Sequence, residues 1–444
     1  MKTTITLKQI NKLAIPALIS GVAEPVLSLT DTAIIGNVDY NAAESLAAIG
    51  IVGTFISMLI WVLGQTRSAI SSIVSQHLGA NKLTEVKNLP AQAIFIITAI
   101  SLLIIVTTLP FSSAIFKLYN ASGTILNYSV DYYNIRVFGF PFTLFTIAIF
   151  GTFRGLQNTY YPMIIAIIGA LINIVLDVAF VYGIAGFISP MHIKGAAYAS
   201  VVAQIIMALC SAFFLLKKTT ISLRVTFPLN KEMKTFTQMI LNLFVRTLAL
   251  NATLYFATRF ATSYGTQYIA AYTIAINLWF LGAFIIDGYA SAGNIMSGKL
   301  LGAKEYKTLV KLSNLLIKCG LIVGMMLTAF GFIFYDFIGF IFTKDQLVLQ
   351  EFSKVFWIVL VMQPLCALAF IFDGMFKGMG KMKYLRNLLL LSTGLVFIPI
   401  LFLLDHYNLK LYGVFIALTL WIIARGCPLI IKFRQLFLSL SQKT

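Results

Sequence analysis

The sequence predicts an all-α polytopic membrane protein, with twelve transmembrane helices in two parallel six-helix repeats. Three observations lead there. First, 59% of its 444 residues are hydrophobic and 11% are charged, against about 25% charged in soluble domains. Twelve spans of about 20 residues use roughly 240 positions, and the apolar content supplies them. Second, the basic residues crowd onto alternate connections between apolar runs. Third, short stretches recur at one fixed offset along the chain.

The first apolar run, 10–36, contains Pro16 and Pro25, either of which can bend it. Its apolar region continues beyond Asp31 and no small-residue cleavage site follows a short apolar stretch, so it reads as a retained helix and not a signal peptide. Runs at 44–76, 90–117, 124–153, 160–186 and 195–216 complete the first six. A basic connection containing Pro228 follows. The second six are 236–262, 267–298, 308–341, 347–376, 384–404 and 411–433. The expected organisation is an N-terminal lobe over 1–218, a cytoplasmic linker over 219–233 and a C-terminal lobe over 234–444. Several runs exceed 25 residues, which predicts tilt, kinks or extensions beyond the hydrocarbon.

Twelve spans put both termini on one side. With that side cytoplasmic, 22 of the 33 Lys and Arg fall on the inner connections and 5 on the outer ones. This bias predicts an integral plasma (inner) membrane protein with cytoplasmic termini. It also accounts for the net charge of +18 without a nucleic-acid partner. The partners it leaves are the lipid bilayer and small organic substrates. Cys210, Cys319, Cys366 and Cys427 are scattered and form no CxxC pair, while His77, His192 and His406 stand alone. No metal centre or cofactor is expected. Disordered chains, coiled coils, disulfide scaffolds and soluble enzymes are excluded by the composition.

The repeat is ungapped. SLAAIGI from Ser45 matches YIAAYTI from Tyr268, His77-Leu78-Gly79-Ala80 matches Leu300-Leu301-Gly302-Ala303, and Gly151-Thr152-Phe153-Arg154-Gly155 matches Gly374-Met375-Phe376-Lys377-Gly378, all 223 positions apart. Six spans per repeat make the halves parallel, related by a pseudo-twofold axis along the membrane normal.

An Asp at the centre of a membrane helix costs roughly 2.5–3.5 kcal/mol on insertion scales, so ionisable residues inside spans are the first functional candidates. Asp31 lies in the first span and Asp177 in the fifth, with Asn173 one helical turn before Asp177 on the same face. Their counterparts 223 positions on are Leu254 and Ile400, so the acidic pair belongs to one repeat only. Two carboxylates facing one cavity can bind and release a proton or Na⁺ as a unit. The structural alternative is a pair of hydrogen-bonded caps on neighbouring helices. In the second half, Arg246, Asp287 and Asp373 are polar candidates, and Arg246 with an Asp suits an architectural ion pair. Glu24 lies two turns before Asp31 and is a further cavity candidate. Arg67, Arg136, Arg259, Lys318 and Arg425 read as snorkelling or interhelical residues. The 14 Met and the 37 Phe, 19 Tyr and 4 Trp suit a soft apolar cavity for organic cations, although lipid contact and helix packing use most of them.

Several stretches resemble the multidrug and toxic compound extrusion (MATE) transporters, in the DinF-like branch. They are EPVLSLTDTAIIGN from Glu24, SQHLGANK from Ser75, RVFGFPFTLFTIAIFGTFRGLQNTYYP from Arg136, NIVLDVAFVYG from Asn173 and GAAYAS from Gly195. The second half contributes VRTLAL from Val245, IDGYASAGNIMSGKLLGAK from Ile286 and FDGMFKGMGKMKYLRN from Phe372. The resemblance implies two six-helix lobes in a V around a central cleft. It implies secondary active antiport, in which cationic, amphipathic organic compounds leave as H⁺ or Na⁺ moves inward by alternating access. It places the cation site on Asp31, Asn173 and Asp177, with Ser200 where relatives often carry Thr, and associates Pro16 with bending of the first helix. Asn294 stands where the branch often has Glu, which leaves Asp287 and Asp373 as second-lobe carboxylates. No enzyme activity is implied, and a monomer suffices. The competing readings are a flippase for lipid-linked saccharides, which needs a strongly basic cavity, and an intramembrane aspartyl protease, whose GxGD and YD contexts are missing around Asp31 and Asp177.

Overall fold

The computed structural model describes residues 5–36, 38, 41–184, 187 and 189–443, and for 23–29, 42, 442 and 443 it describes the backbone alone. These residues are nearly all helical, and eleven helical stretches among them are long and apolar enough to cross a membrane. The thirty-residue α1, Leu7–Gly36, precedes those eleven.

Most apolar runs in the sequence are single helices, but five are broken. The second run divides into α2, Ala42–Leu63, and α3, Thr66–Gly79. Gly64 separates them, and a side chain there would collide with the Ile60 carbonyl. The third run is α4, Leu89–Thr108, followed after a 3₁₀ turn at Pro110 by α5, Ser112–Lys117. The fourth is α6, Gly123–Arg136, and α7, Phe140–Gly155, with a second 3₁₀ turn before Pro141. Proline cannot donate to the preceding turn, so both breaks fall where a proline opens the next segment. Then come α8, Tyr160–Val181, α9, His192–Lys218, α10, Met233–Ser263, and α11, Thr266–Gly302. The ninth run is α12, Tyr306–Ile333, and α13, Tyr335–Phe342, and the tenth is α14, Gln346–Gly378. The eleventh is α15, Met382–Leu391, and α16, Ile398–His406, joined by a π turn over Ser392–Phe397, and the last is α17, Lys410–Lys443.

Asp345 caps α14, its Oδ1 accepting from the backbone N–H of Leu347 (2.9 Å) and Val348 (3.4 Å). Asp345→Ala removes both bonds and is expected to cost about 1 kcal/mol. Thermal unfolding in detergent checks this.

The chain forms two compact units. One contains Met1–Leu18, Ser75–Asn81 and Leu241–Thr444, and the other Ile19–Val74 and Lys82–Ile240. The boundary inside α1 follows Leu18, two residues after Pro16, and α1 remains helical through that proline. In the first unit, Ile5, Ile10, Leu13 and Ala14 share a buried cluster with Leu312, Leu316, Phe376 and Phe433. A second cluster there is built on Phe352, Phe356, Phe415 and Trp421. In the other unit, Phe55, Phe116 and Tyr133 pack edge to face at 5.3–6.2 Å. The segment from Thr226 to Asn230 is anchored there, because Gln92 Nε2 donates to the Thr226 carbonyl at 2.6 Å and Asn230 N donates to Gln92 Oε1 at 2.8 Å.

The 223-residue repeat is visible in the contacts themselves. A side chain at Gly151 would meet the Arg67 backbone, and one at Gly374 the Ala290 backbone. Likewise Gly155 closes on Ser71 and Val74, and Gly378 on Asn294 and Ser297. Each member of one set lies 223 positions from its mate. The third pair is reciprocal: Gly79 lies against the Lys299 carbonyl, and Gly302 against the Gln76 carbonyl. Helix backbones approach this closely where a residue at the contact lacks a Cβ.

Candidate functional site: a buried carboxylate pair

Asp31 on α1 is buried at 7% exposure, and on α8 Asn173 and Asp177 are buried at 2% and 0%. The one-turn spacing on α8 turns both inward. The Tyr182 hydroxyl, just past α8, donates to the Ile34 carbonyl of α1 at 2.9 Å. That bond holds the carboxyl-bearing turns of the two helices side by side. On α9, Gly195 lets the helix close on the Phe180 backbone, which brings Ser200 to the same depth. The Ser200 hydroxyl donates to Asp31 Oδ2 over 3.4 Å, a long hydrogen bond.

The Asp31 and Asp177 carboxyl groups are close neighbours that interact electrostatically. Both are acceptors when ionised, and among the described residues no donor is hydrogen-bonded between them. Asp31 Oδ1 and both Asp177 oxygens are buried without a hydrogen-bond partner, as is Asn173 Nδ2. Buried polar atoms are ordinarily satisfied, and three carboxylate oxygens without a partner in one place suit a cation or a proton. Hard cations take oxygen ligands, and a proton fits the same geometry.

Sequence reasoning missed the rest of this constellation. Arg136, expected to snorkel or bridge helices, directs its charge at both carboxylates from the end of α6. Its Nη1 donates to Gln204 Oε1 at 2.9 Å. The buried Tyr132 lies within electrostatic reach of it as well. Gly139 makes this possible, since any side chain there would overlap Gln204 Oε1. The signal available in the sequence was Arg136 one turn after Tyr132 on a span otherwise poor in charge.

The second-half candidates divide. Arg246 Nη2 meets Asp373 Oδ1 at 2.6 Å, and Lys377 Nζ meets Asp373 Oδ2 at 2.9 Å. Asp287 is not part of this cluster and is exposed on α11. Asn294 is buried, with its carbonyl against Gly378. The Glu24 side chain lies outside the described residues.

Comparison with known proteins gives concordant findings. The family model MatE matches residues 16–179 and 238–403. The protein named Protein DETOXIFICATION 42, from Arabidopsis thaliana, is 25% identical over 475 residues, covering 94% of this chain and 90% of the relative. DNA damage-inducible protein F of Escherichia coli (strain K12) is 24% identical, with 95% and 91% covered. A solved structure described as MATE in the bent conformation superposes with a TM-score of 0.90 at 22% identity, covering 98% of this chain and 96% of that one.

Proposed function

From the premise that this chain belongs to the MatE family of membrane transporters, which are not enzymes, we propose that it exports amphipathic organic compounds in exchange for inward H⁺ or Na⁺. The observation that carries the antiport reading is the pair Asp31 and Asp177, buried together with three orphaned oxygens. Relatives bearing detoxification names support an exported toxic compound as the cargo. The aromatic and methionine content supports a cationic, amphipathic molecule.

The charges of the site set the coupling. Asp31 and Asp177 bring two negative charges and Arg136 one positive, which leaves one negative charge for a single monovalent cation. With the site open to the outside, H⁺ or Na⁺ binds between the carboxylates, coordinated by the oxygens of Asp31, Asp177, Asn173 and Ser200. The site is then neutral, and its closure against apolar helices no longer buries a net charge. Reorientation delivers the cation to the cytoplasm, and the return half-cycle carries substrate out. Pro16, two residues from the point where α1 passes from one compact unit to the other, is the proposed flexing point. One charge moving inward contributes about 2.3 kcal/mol per 100 mV. The excess of inner basic residues supports insertion in the plasma (inner) membrane with both termini in the cytoplasm, and one chain carries every residue named.

The test is efflux of a fluorescent organic cation from proteoliposomes, with a pH gradient and a Na⁺ gradient imposed separately. One gradient is expected to drive efflux and thereby to name the ion. Equal efflux with and without either gradient would overturn antiport.

A further inference from the structure

The unit containing the second half of the chain buries a charge cluster of the opposite sign. Arg246 on α10 and Lys377 on α14 occupy one oxygen each of Asp373. Arg425 on α17 is a third cation within electrostatic reach of Asp373 and Arg246. Arg425 is 5% exposed, and it donates no hydrogen bond among the described residues. Its guanidinium lies 4.9 Å from the Phe370 ring centre and 4.8 Å from that of Trp421. Stacking of this kind uses the faces of the guanidinium and leaves its in-plane N–H edge free. The platform is itself fixed. The Trp421 indole N–H donates to the Thr393 hydroxyl at 3.1 Å, and that hydroxyl pairs with Thr253 at 3.0 Å. Thr393 belongs to the π turn of the eleventh run, a distortion often found where a helix is shaped for function.

Among the described residues, three cations against one carboxylate leave a net charge of +2. A cluster that only tied α10 to α14 would need one Arg and one Asp. A cluster serving the packing of the repeat would recur 223 positions earlier, yet only the cation at Lys377 does so, as Arg154, while Ala23, Phe150 and Val202 stand at the other three positions. Buried charge without a counter-ion is costly, and the missing counter-ion is an anion.

We propose that Arg246, Lys377 and Arg425 form a binding site for the carboxylate or sulfonate of an amphipathic organic anion, with Arg425 supplying the fork that grips it and Phe370 and Trp421 fixing that fork in place. The site rests on the transporter reading only in making this anion part of the cargo, so that the exported compound is zwitterionic, with an anionic group beside its cationic one. A lipid headgroup presents the same chemistry, and the test separates the two.

The test is equilibrium binding to the purified protein in phosphatidylcholine nanodiscs, without any ion gradient. The probes are 9-anthracenecarboxylate, its methyl ester and the matching trimethylammonium compound, followed by fluorescence titration. Wild type is expected to bind the carboxylate at least tenfold more tightly than either analogue. Arg425→Met should reduce that preference to within twofold, and Arg425→Lys should restore part of it. Arg246→Gln is the second variant should Arg425→Met not fold. Loss of carboxylate binding when phosphatidylglycerol is added would identify a lipid headgroup as occupant of the same anion site. Equal binding of all three probes by wild type, or an unchanged preference in Arg425→Met, would overturn the proposal. Because no gradient is present, these outcomes are independent of whether antiport itself survives testing.

Discussion

Asp31→Asn is expected to abolish gradient-driven efflux while leaving the protein inserted and folded. The substitution keeps the shape and an oxygen that can accept from Ser200, so the packing of α1 against α8 and α9 is preserved. It removes one of the two negative charges. Asp177 and Arg136 then balance one another, and the site has no net charge left to attract a cation. The expected loss is on the order of a hundredfold or more in the coupled rate, or about 2.7 kcal/mol. The unfolding midpoint should hold or rise, since an unpaired buried charge has been removed. Proteoliposome efflux and thermal unfolding of the same preparation separate the two effects. Full coupled activity in the variant would move the coupling site elsewhere.

The second large effect is expected at the reciprocal glycines. In Gly302→Ala the added methyl would overlap the Gln76 carbonyl, and in Gly79→Ala the Lys299 carbonyl. A backbone carbonyl cannot rotate aside as a side chain does, so the ends of α3 and α11 must separate. Each variant should lose roughly 2–3 kcal/mol, as overpacked contacts do. The double variant should lose less than the sum, because one displacement relieves both overlaps. Gly53 on α2 is the control: nothing lies within 4 Å of its missing Cβ, and Gly53→Ala should be neutral or stabilising through helix propensity. Additive losses in the double variant would mean that the two contacts are independent.

The spans were legible because hydrocarbon dictates length and apolarity, and these are local properties of a sequence. The breaks inside them were less so. Pro110 and Pro141 announce theirs, but the break at Gly64 depends on what lies around that residue, and the one at Phe334 has no residue-type signal. The repeat was legible as an offset, although nothing in the sequence said that its glycines are the contact points. At the carboxylate pair, Asp31, Asn173 and Asp177 were singled out because polar groups in a span are conspicuous, and Ser200 was reached only through the family resemblance. Arg136 was passed over because a long basic side chain near a helix end ordinarily reaches for water. Arg425 was passed over for the same reason. Lys377 was counted as an inner-side positive charge, though its four-residue spacing from Asp373 was a usable sign of pairing. Asp287 shows the converse, a charge as conspicuous in the sequence as Asp373 that joins no cluster among the described residues.

The burial of Ile5, Ile10, Leu13 and Ala14 beside Leu429, Phe433 and Phe437 has a consequence for biogenesis. The opening turns of α1 share their buried cluster with residues of α17, made far later in synthesis. Roughly 400 residues separate them, and at about 5–20 residues per second translation needs on the order of 20–80 s to deliver those partners. Through that interval the start of α1 must wait in the bilayer or at its surface without its final neighbours. Closure of this unit therefore waits until α17 has been made, and a chain released before that leaves the apolar start of α1 for quality control to recognise.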